Sequence, residues 1–441
     1  MDSFANKNVT VMGLGRFAGG LAITRYLANQ GASVLVTDLA DESTLADSIA
    51  QLQPLIDAGK VQLRLGEHQV DDFTSADCII ANPAVAQPWN NQYLNAARDA
   101  DIPITTEIEI ALAHLDHSRL IAITGSAGKS TTAAMTHAAL QAAGAHAILA
   151  GNIGSSILDV LDQLTDQTII VLELSSAMLH WIDTLSPAVA VATNCTENHT
   201  DWHASFLHYR DCKQSIFTSQ PDQATAVLDQ SLTEWETNPG IKRIIISDDD
   251  RIADCTAPGI HNATNAAMAS AAARAVLPDA SVQKINAAIR AFPGLPHRLS
   301  LCHQLNSIRF FNDSKCTVPG ATVLAIQALS QSAPASTIHL IAGGYDKGSD
   351  LAPISTLAES LAGLYTIGAT GKALAANAKS NAHHCTTLQE AMQTIMQRMK
   401  PGDTVLLSPG CASWDQFTNY EHRGNTFRDL AIALTEHSPC G

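Results

Sequence analysis

The sequence predicts an α/β protein of three domains, each built around a parallel sheet. Two apolar, strand-like segments, Asn8–Met12 and Ile121–Thr124, run into glycine-rich turns that precede helical patterns. Further apolar segments along the chain end in polar residues, and alternation of such strands with helices is typical of parallel α/β sheets. A chain of 441 residues is long enough for two to four domains. Short connectors place the domains at residues 1–117, 118–296 and 297–441.

Composition and charge disfavour several classes of protein. Apolar residues make up 46% of the chain and charged residues 15%, as in compact α/β proteins. The net charge of -16 argues against nucleic acid or an anionic membrane as a partner, because both require clustered basic charge. The nine cysteines contain no Cys-x-x-Cys pair, which predicts reduced thiols. The first residues have no apolar signal core and no apolar run is of membrane length, so we expect a cytoplasmic protein.

The turn after Ile121–Thr124 has the composition of a phosphate-binding loop. Its residues read Thr-Gly-Ser-Ala-Gly-Lys-Ser-Thr and lead directly into an alanine-rich helical pattern. Glycines turn successive backbone N–H groups toward one point, and the following helix adds the positive end of its dipole. Lys129 can reach the outer phosphates of a nucleotide, and a hydroxyl of Ser130 or Thr131 can hold Mg²⁺. An ordinary glycine-rich turn is the alternative, which the ordered combination of strand, loop, lysine and hydroxyls disfavours.

The first glycine-rich turn has the Gly-x-Gly-x-x-Ala pattern of a nucleotide-binding βαβ unit. It runs from Gly13 through Gly15 to Ala18, and Asp38 stands at the end of the second predicted strand. This fingerprint is weak on its own. It permits a dinucleotide enzyme, or a site that holds the diphosphate of another nucleotide.

Polar residues follow three apolar strands in the middle of the chain. These strands lead to Gly151-Asn152, to Glu173-Leu174-Ser175 and to a segment that ends at His199. Because the carboxyl ends of parallel strands meet at one edge, we expect these residues beside the phosphate-binding loop. Glu173 would then be placed to bind a metal ion, and His199 could supply a second ligand. Each residue alone could equally be a helix cap or loop residue, and only their joint placement favours function.

The last part of the chain repeats this arrangement. Three more strand-like segments, Ile308–Phe311, Ile338–Ala342 and Thr404–Leu407, end in polar, glycine-containing turns. A linker with turn residues, Ala291–Pro296, separates them from the middle region. The sequence therefore predicts a third domain with its own polar rim.

Taken together, the motifs resemble those of the Mur ligases. They are Thr-Gly-Ser-Ala-Gly-Lys-Ser-Thr, Gly-Asn-Ile-Gly, Glu-Leu-Ser-Ser, His-Asn-x-x-Asn, Leu-Pro-His-Arg, Asn-Asp-Ser-Lys, Ala-Gly-Gly-Tyr-Asp-Lys-Gly, Ser-Pro-Gly-Cys-Ala-Ser-Trp-Asp-Gln-Phe and Glu-His-Arg-Gly-Asn-Thr-Phe. The resemblance extends from the first strand to the last helix. It implies an N-terminal Rossmann-like UDP-binding domain, a central P-loop ATPase domain and a C-terminal Rossmann-like domain that binds an amino acid.

The last two motifs narrow the activity that the resemblance implies. Within the family they are similar to those of the ligase that adds D-glutamate to UDP-N-acetylmuramoyl-L-alanine in peptidoglycan synthesis. Such an enzyme consumes ATP, forms an acyl phosphate and uses two Mg²⁺ ions. The resemblance implies a monomer with no nucleic-acid or membrane partner.

The resemblance also implies a role for each matching residue. The residues that would bind ATP are Gly125, Ser126, Ala127, Gly128, Lys129, Ser130, Thr131, Asn265, Arg298 and Asp313. Those that would bind the UDP substrate are Gly15, Arg16, Asp38, Asn82, Asn152 and Ser175, and those for glutamate are Thr317, Lys347, Ser413 and Tyr420. The metal ligands would be Ser130, Glu173, His199 and Lys213, with Lys213 carbamylated. Lys129, His199 and Lys213 would be catalytic.

The chain departs from the family pattern at several positions, and other functions stay open. Asn82-Pro83-Ala84-Val85 stands where Ser-Pro-Gly-Ile is usual, Asn198 replaces an acid, and Val318 replaces an asparagine. A folylpolyglutamate synthase would use the same chemistry, although the Asp-Gln-Phe and Arg-Gly-Asn-x-Phe segments count against it. A nicotinamide dehydrogenase would leave the phosphate-binding loop unexplained. A non-catalytic protein switched by ATP is the third alternative.

Overall fold

The computed structural model describes residues 4–15, 18–345, 347–378 and 380–436. These residues form three sheets connected by helices, which confirms the predicted α/β class. The described residues up to Arg251, together with Ala267–Asn286, form one compact unit. Ile252–Ala266 and the described residues from Ala287 onward form a second unit. Arg16, one of the predicted substrate-binding residues, lies outside the described residues.

The first sheet has the strand order β3-β2-β1-β4-β5, and all of its strand pairs are parallel. Its strands are β1 (Asn8–Met12), β2 (Ser33–Asp38), β3 (Val61–Leu65), β4 (Cys78–Ala81) and β5 (Ile104–Thr105). Its helices are α1 (Ala18–Asn29), α2 (Ala46–Asp57), α3 (Asp71–Thr74), α4 (Gln92–Asp99) and α5 (Glu107–Leu112). The strand order reverses between β1 and β4, and ligand crevices form at such switch points, beyond the carboxyl ends of the strands.

The second sheet is also parallel, with the order β11-β10-β9-β6-β8-β7. Its strands are β6 (Leu120–Thr124), β7 (Ala147–Gly151), β8 (Ile169–Glu173), β9 (Val189–Ala192), β10 (Thr225–Asp229) and β11 (Lys242–Ile246). The helices that follow in the chain are α6 (Lys129–Ala142), α7 (Ser176–Leu179), α8 (Thr200–His203), α9 (Phe206–Gln214), α10 (Ile260–Val276) and α11 (Val282–Ala291). All residues of β6 and β8 are buried, as expected of strands covered on both faces.

The first two sheets share one hydrophobic core. A single cluster of buried side chains includes Val9 and Leu27 from the first sheet region and Leu120, Ala190 and Phe217 from the second. Apolar burial of this kind contributes about 25 cal/mol for each Å² removed from water. The strand ends of both sheets are therefore held on one packed body.

The third sheet has the order β12-β13-β17-β14-β15-β16. Only β12 runs antiparallel to its neighbour, and the other described pairs are parallel. The strands are β12 (Ser300–Leu305), β13 (Ile308–Asn312), β14 (Ile338–Gly343), β15 (Gly363–Ile367), β16 (Ala382–His384) and β17 (Thr404–Leu407). The helices are α12 (Pro319–Ser330), α13 (Ala352–Leu357), α14 (Gly371–Asn377), α15 (Leu388–Met396) and α16 (Tyr420–Glu436). Within the described ranges, no helix combines the length and the hydropathy needed to cross a bilayer.

A completely buried arginine fastens α16 to the polar rim of the third sheet. The guanidinium of Arg423 donates to Oγ and the carbonyl of Ser314, at 3.0 and 2.8 Å, in the loop after β13. It also donates to the carbonyls of Cys411 and Ala412, both at 3.1 Å, in the loop after β17. Burial lowers the pKa of Arg423 to about 10, so the side chain is still charged at neutral pH. This explains physically why an arginine occupies the centre of the Glu-His-Arg-Gly-Asn-Thr-Phe segment.

Replacing this arginine should destabilise the second unit strongly. Arg423→Met would remove four charge-assisted hydrogen bonds to three buried carbonyls and one hydroxyl, and we expect a loss of about 3 kcal/mol or more in the free energy of unfolding. The control is Arg428→Met on the same helix, because Arg428 is exposed and its one ion pair among the described residues is with the exposed Asp429. This change should alter that free energy by less than about 1 kcal/mol. Urea denaturation of both variants measures the difference. Equal stabilities would show that the buried contacts of Arg423 do not hold α16.

Candidate functional site

The glycine-rich turn between β6 and α6 has the shape of an anion site. The φ angle of Gly125 is +147°, and a Cβ atom there would lie 1.9 Å from Oγ1 of Thr193, so only glycine fits. Gly128 ends the turn as the left-handed cap of α6. The first backbone N–H groups of a helix have no partner within the helix, and its N-terminus attracts negative charge. The turn therefore presents donors and a positive dipole to an anion.

The segment after β9 holds this turn in place. The backbone N–H of Ser126 donates to the carbonyl of Asn194 at 3.0 Å, and the N–H of Ala127 donates to Oδ1 of Asn194 at 2.9 Å. The hydroxyl of Thr193 donates to the carbonyl of Ala127. Because β9 is the direct neighbour of β6, these bonds connect the ends of two central strands. The sequence did not single out Thr193 or Asn194 for this role.

Two lysines meet at one carbonyl oxygen of the turn. Nζ of Lys129 donates to the carbonyl of Gly125 at 2.8 Å and to that of Ser126 at 3.2 Å. Nζ of Lys213, on α9, donates to the same carbonyl of Gly125 at 2.9 Å. Burial and, to a smaller extent, the charge of Lys129 lower the pKa of Lys213 to about 7. Like charges this close are stabilised when an anion binds between or beside them.

Glu173 brings a buried carboxylate to the same edge of the sheet. It ends β8, where it pairs with Ile123 of β6, and its side chain is completely buried. Oε1 accepts a hydrogen bond from Nδ2 of Asn152 at 3.1 Å. Among the described residues, none donates to Oε2. A buried carboxylate oxygen without a donor is costly, and a bound cation would stabilise it.

Tyr209 joins the loop to Lys213 and was not predicted as a site residue. Its hydroxyl lies 2.7 Å from Oγ of Ser126, and its ring centroid lies 4.7 Å from Nζ of Lys213. Tyr209 precedes Lys213 by four residues on α9, so both lie on one face of the helix. That spacing is the sequence signal that identifies Tyr209 once Lys213 is chosen.

His199 and Ser175 occupy the border of this region. His199 is exposed, has a φ angle of +52°, and its ring centroid lies 6.3 Å from that of Tyr209. Oγ of Ser175 accepts the backbone N–H of Met178 at 3.1 Å, which is the capping role that the sequence left open. Ser130 and Thr131 lie half-buried in the first turn of α6. The structure therefore joins Lys129, Lys213, Ser126 and Tyr209 by direct contacts and places His199 beside Tyr209.

The crevice of the first sheet gathers three predicted substrate residues. The backbone N–H of Gly15 donates to Oδ2 of Asp38 at 3.0 Å. Nδ2 of Asn82 donates to the carbonyl of Gly13 at 3.2 Å, which connects the turns after β1 and β4. Gly15, Asp38 and Asn82 thus lie together at the switch point. Arg16, beyond the described residues, is the one predicted residue of this group that cannot be placed.

In the second unit, Asp313 is held by two donors. Its Oδ1 accepts the backbone N–H of Leu299 at 3.0 Å, and its Oδ2 accepts the hydroxyl of Ser408 at 2.7 Å. Burial raises the pKa of Asp313 to about 6, which the exposed Arg298 partly opposes. Nδ2 of Asn265, which is buried, donates to Oδ1 of Asn262 at 3.2 Å.

The predicted glutamate residues lie at the strand ends and helix starts of the same unit. Nζ of the exposed Lys347 lies 4.7 Å from the ring centroid of Trp414, next to the buried Ser413. Tyr420 begins α16, and Nζ of Lys315 lies 5.0 Å from its ring centroid. Thr317 is half-buried before α12. Among the described residues, no hydrogen bond or ring contact links Lys347 to Thr317, Ser413 or Tyr420.

Family models match three stretches of the chain. Residues 7–106 match the Mur ligase MurD-like N-terminal domain. Residues 123–256 match the Mur ligase middle domain, and residues 297–411 match the Mur ligase glutamate ligase domain.

Curated relatives match the chain over nearly its full length. A UDP-N-acetylmuramoylalanine–D-glutamate ligase from Geobacter metallireducens is 34% identical, with 98% of each chain covered. A protein of the same name from Koribacter versatilis is 33% identical, also with 98% of each chain covered.

Solved structures share the fold at lower identity. The UDP-N-acetylmuramate–alanine ligase from Thermotoga maritima is 17% identical, with a TM-score of 0.57 and coverage of 97% of this chain and 100% of that one. The MurF ligase from Thermotoga maritima in complex with ADP is 14% identical, with a TM-score of 0.55 and coverage of 99% of both chains. With relatives above 30% identity along almost the whole sequence and a family match in each sheet region, the chain belongs to the Mur ligase family.

Proposed function

We propose that this chain is an ATP-dependent ligase that joins D-glutamate to UDP-N-acetylmuramoyl-L-alanine in peptidoglycan synthesis. The observation that carries the proposal is the meeting of Lys129 and Lys213 on the carbonyl of Gly125, at the mouth of an anion-binding turn. The names of the full-length relatives support the choice of substrates.

The reaction needs ATP because a carboxylate is a poor acyl donor, whose carbon resists attack by an amine. The terminal phosphoryl group of ATP is transferred to the carboxylate of the lactoyl-alanine substrate, which forms an acyl phosphate and ADP. The amine of D-glutamate then attacks the acyl carbon, inorganic phosphate leaves, and an amide bond remains. Both steps bring anions together, so the ammonium group of Lys129 beside Gly125 stabilises charge that is shared between donor and acceptor.

The residues around the turn fit a divalent cation. The Oε2 oxygen of Glu173 lacks a donor among the described residues, and the hydroxyl of Ser130 lies in the first turn of α6. Glu173, Ser130, His199 and a carbamylated Lys213 would hold the two Mg²⁺ ions that the family resemblance implies. Bound Mg²⁺ would neutralise phosphate charge. Lys129 itself orients the terminal phosphate. Tyr209 contacts both Lys213 and Ser126 and so fixes their positions relative to each other.

We propose that the three domains bind different substrates. The UDP substrate binds to residues 1–117 at Gly15, Arg16, Asp38 and Asn82, with Asn152 and Ser175 contributed by residues 118–296. The adenosine of ATP contacts Asn265, Arg298 and Asp313. Glutamate binds to residues 297–441 through Thr317, Lys347, Ser413 and Tyr420. The enzyme acts as a monomer in the cytoplasm, where nucleotide-linked substrates and ATP are made.

A phosphate-release assay tests the proposed function. We expect release from ATP only when UDP-N-acetylmuramoyl-L-alanine and D-glutamate are both present, because the acyl phosphate forms on one substrate and is consumed by the other. Release that needs a folate in place of the UDP substrate would identify a folylpolyglutamate synthase. Release without either substrate would favour the ATP-switched binding protein.

Lys129→Ala should abolish turnover in a folded protein. The ammonium group acts on the phosphoryl group during transfer, so its loss should lower kcat by about 1000-fold or more. The control is Lys60→Ala, which removes an exposed lysine from the same unit and should leave kcat unchanged. Circular dichroism checks that both variants are folded. A folded Lys129→Ala enzyme with near-normal kcat would remove the loop lysine from the mechanism.

Lys213→Ala should be inactive and should regain part of its activity with short carboxylic acids. Carbamylation requires a neutral amine, and a pKa of about 7 leaves roughly half of the Lys213 side chains neutral at pH 7. The neutral fraction grows as the pH rises through 7, so the modification is favoured on the alkaline side. Formate or acetate would replace the missing carbamate oxygens. Lys129→Ala is the control that these acids should not rescue, and the absence of any rescue of Lys213→Ala would contradict a carbamate role.

Lys347→Ala should weaken the use of D-glutamate by one to two orders of magnitude. A charge-assisted contact with a carboxylate is worth roughly 1.5–3 kcal/mol, and Lys347 is the cation that we assign to the side chain of glutamate. The KM values for ATP and the UDP substrate should change little. Lys372→Ala, another exposed lysine of the same unit, is the matched control. Unchanged kinetics with D-glutamate, or a wild-type preference for L-glutamate, would contradict the assignment.

A further inference from the structure

Three potential metal ligands converge beside α9. His208 and Cys212 lie four residues apart on α9, and His180 follows the last residue of α7. A ring nitrogen of each histidine and Sγ of Cys212 all lie within 4.8 Å of one another. None of the three has a role in the proposed ligase reaction.

The separation of Cys212 and His208 suits one shared ion. Sγ of Cys212 lies 3.5 Å from Nε2 of His208. Zinc binds sulfur at about 2.3 Å and imidazole nitrogen at about 2.0–2.1 Å, so tetrahedral ligation places the two ligand atoms about 3.5 Å apart. His180 supplies a third ligand atom, and the fourth position is left to water.

A chain of hydrogen bonds orients His208 for this purpose. Nδ1 of His208 lies 3.0 Å from Nδ1 of His203, and Nε2 of His203 lies 2.9 Å from Oγ of Ser176. If His203 donates from Nε2 to Ser176, its Nδ1 accepts from His208. Nε2 of His208 then carries a lone pair that faces Cys212. Metal-binding histidines are commonly held by such a partner on the second nitrogen.

Two tryptophans cover the triad. The ring centroid of Trp89 lies 4.8 Å from that of His208 and 5.5 Å from that of His180. The centroid of Trp202 lies 5.4 Å from that of His180. Cys212 is buried, while both histidines are half-buried and leave a path for an ion. An apolar wall around a site limits competition by water.

We propose that His180, His208 and Cys212 form a zinc site that fastens α7 to α9. Sulfur and imidazole ligands select Zn²⁺, whereas the carboxylate and hydroxyl groups around Glu173 suit Mg²⁺. Binding would release the thiol proton of Cys212 to solvent and form the Zn–S bond. The occupied site would hold α9, which also carries Tyr209 and Lys213, against α7. This proposal does not depend on the ligase reaction.

Cobalt substitution tests the site directly. Purified full-length protein is titrated with Co²⁺ in the presence of excess Mg²⁺, which occupies the oxygen-ligand site. We expect one Co²⁺ per chain, a sulfur-to-cobalt charge-transfer band, and loss of the band when Zn²⁺ is added. Cys212→Ala should abolish the band and weaken Zn²⁺ binding at least about 100-fold, since loss of a direct ligand exceeds the 10–100-fold cost of losing its hydrogen-bonded partner.

Two other thiols provide matched controls. Cys195→Ser and Cys302→Ser should keep the band, because neither residue belongs to the triad. A band that disappears with Cys195 instead of Cys212 would overturn the proposal. So would a wild-type protein that shows no sulfur-to-cobalt band, since the triad would then be only a packed group of histidines and aromatic rings.

Thermal denaturation gives an independent reading that does not use activity. Zn²⁺ should raise the Tm of the wild-type protein and of Cys302→Ser, and should leave the Tm of Cys212→Ala unchanged. The Tm values without metal show whether each variant is folded. His203→Gln should retain the band but weaken Zn²⁺ binding by about tenfold, because it removes only the partner of His208. An equal Zn²⁺-dependent rise in the Tm of Cys212→Ala would contradict the assigned ligands.

Discussion

The carbonyl oxygen of Gly125 accepts hydrogen bonds from two lysines, and the rest of the candidate site depends on this contact. Lys129 reaches it from the start of α6 and Lys213 from α9, with N···O distances of 2.8 and 2.9 Å. Two ammonium charges are avoided there because burial, with the charge of Lys129, lowers the pKa of Lys213 to about 7. The arrangement is best satisfied by an anion, which the turn and the helix terminus also favour. The negative charge of a phosphate substrate would thus offset the positive charge at this turn.

The second sheet fixes the positions of the residues around this turn. Gly125, Glu173 and Thr193 end or follow three strands that lie side by side, β8, β6 and β9. Residues at the carboxyl ends of buried parallel strands move little, because their strands are covered on both faces. Helix α9 then supplies Tyr209 and Lys213 and, in our proposal, the adjacent residues His208 and Cys212 as Zn²⁺ ligands.

Much of this organisation could be predicted from the sequence. Buried parallel strands are continuous apolar runs in the sequence, and a polar residue after each run marks the carboxyl edge of the sheet. The structure places Glu173 and the loop that carries Lys129 at the same edge of the second sheet, as predicted. The order of the strands cannot be obtained in this way, because an apolar run does not indicate which strand lies next to it in the sheet. Thr193 and Asn194 were missed for that reason, since their role depends on β9 lying next to β6.

Other features could not be predicted from the sequence, because their residue types or spacings do not indicate the contacts that they make. Arginine is rarely buried, and the segment containing Arg423 was recognised only by resemblance, whereas the structure shows a guanidinium that holds two loops. The triad of His180, His208 and Cys212 is spread over two helices and has no motif spacing beyond the four residues within α9. The shared core of the first two sheets was likewise hidden, because the apolar face of a helix does not reveal its partner.

The proposed mechanism requires that the terminal phosphoryl group of ATP is transferred to the substrate carboxylate at the Gly125 turn, which forms an acyl phosphate. It is tested most directly with UDP-N-acetylmuramoyl-L-alanine labelled with oxygen-18 in its carboxylate. Transfer of the phosphoryl group to that carboxylate, followed by attack of the glutamate amine, predicts that each released phosphate carries one atom from the labelled carboxylate, as mass spectrometry would show. Released phosphate that contains no label, while the amide product forms at the normal rate, would contradict the account.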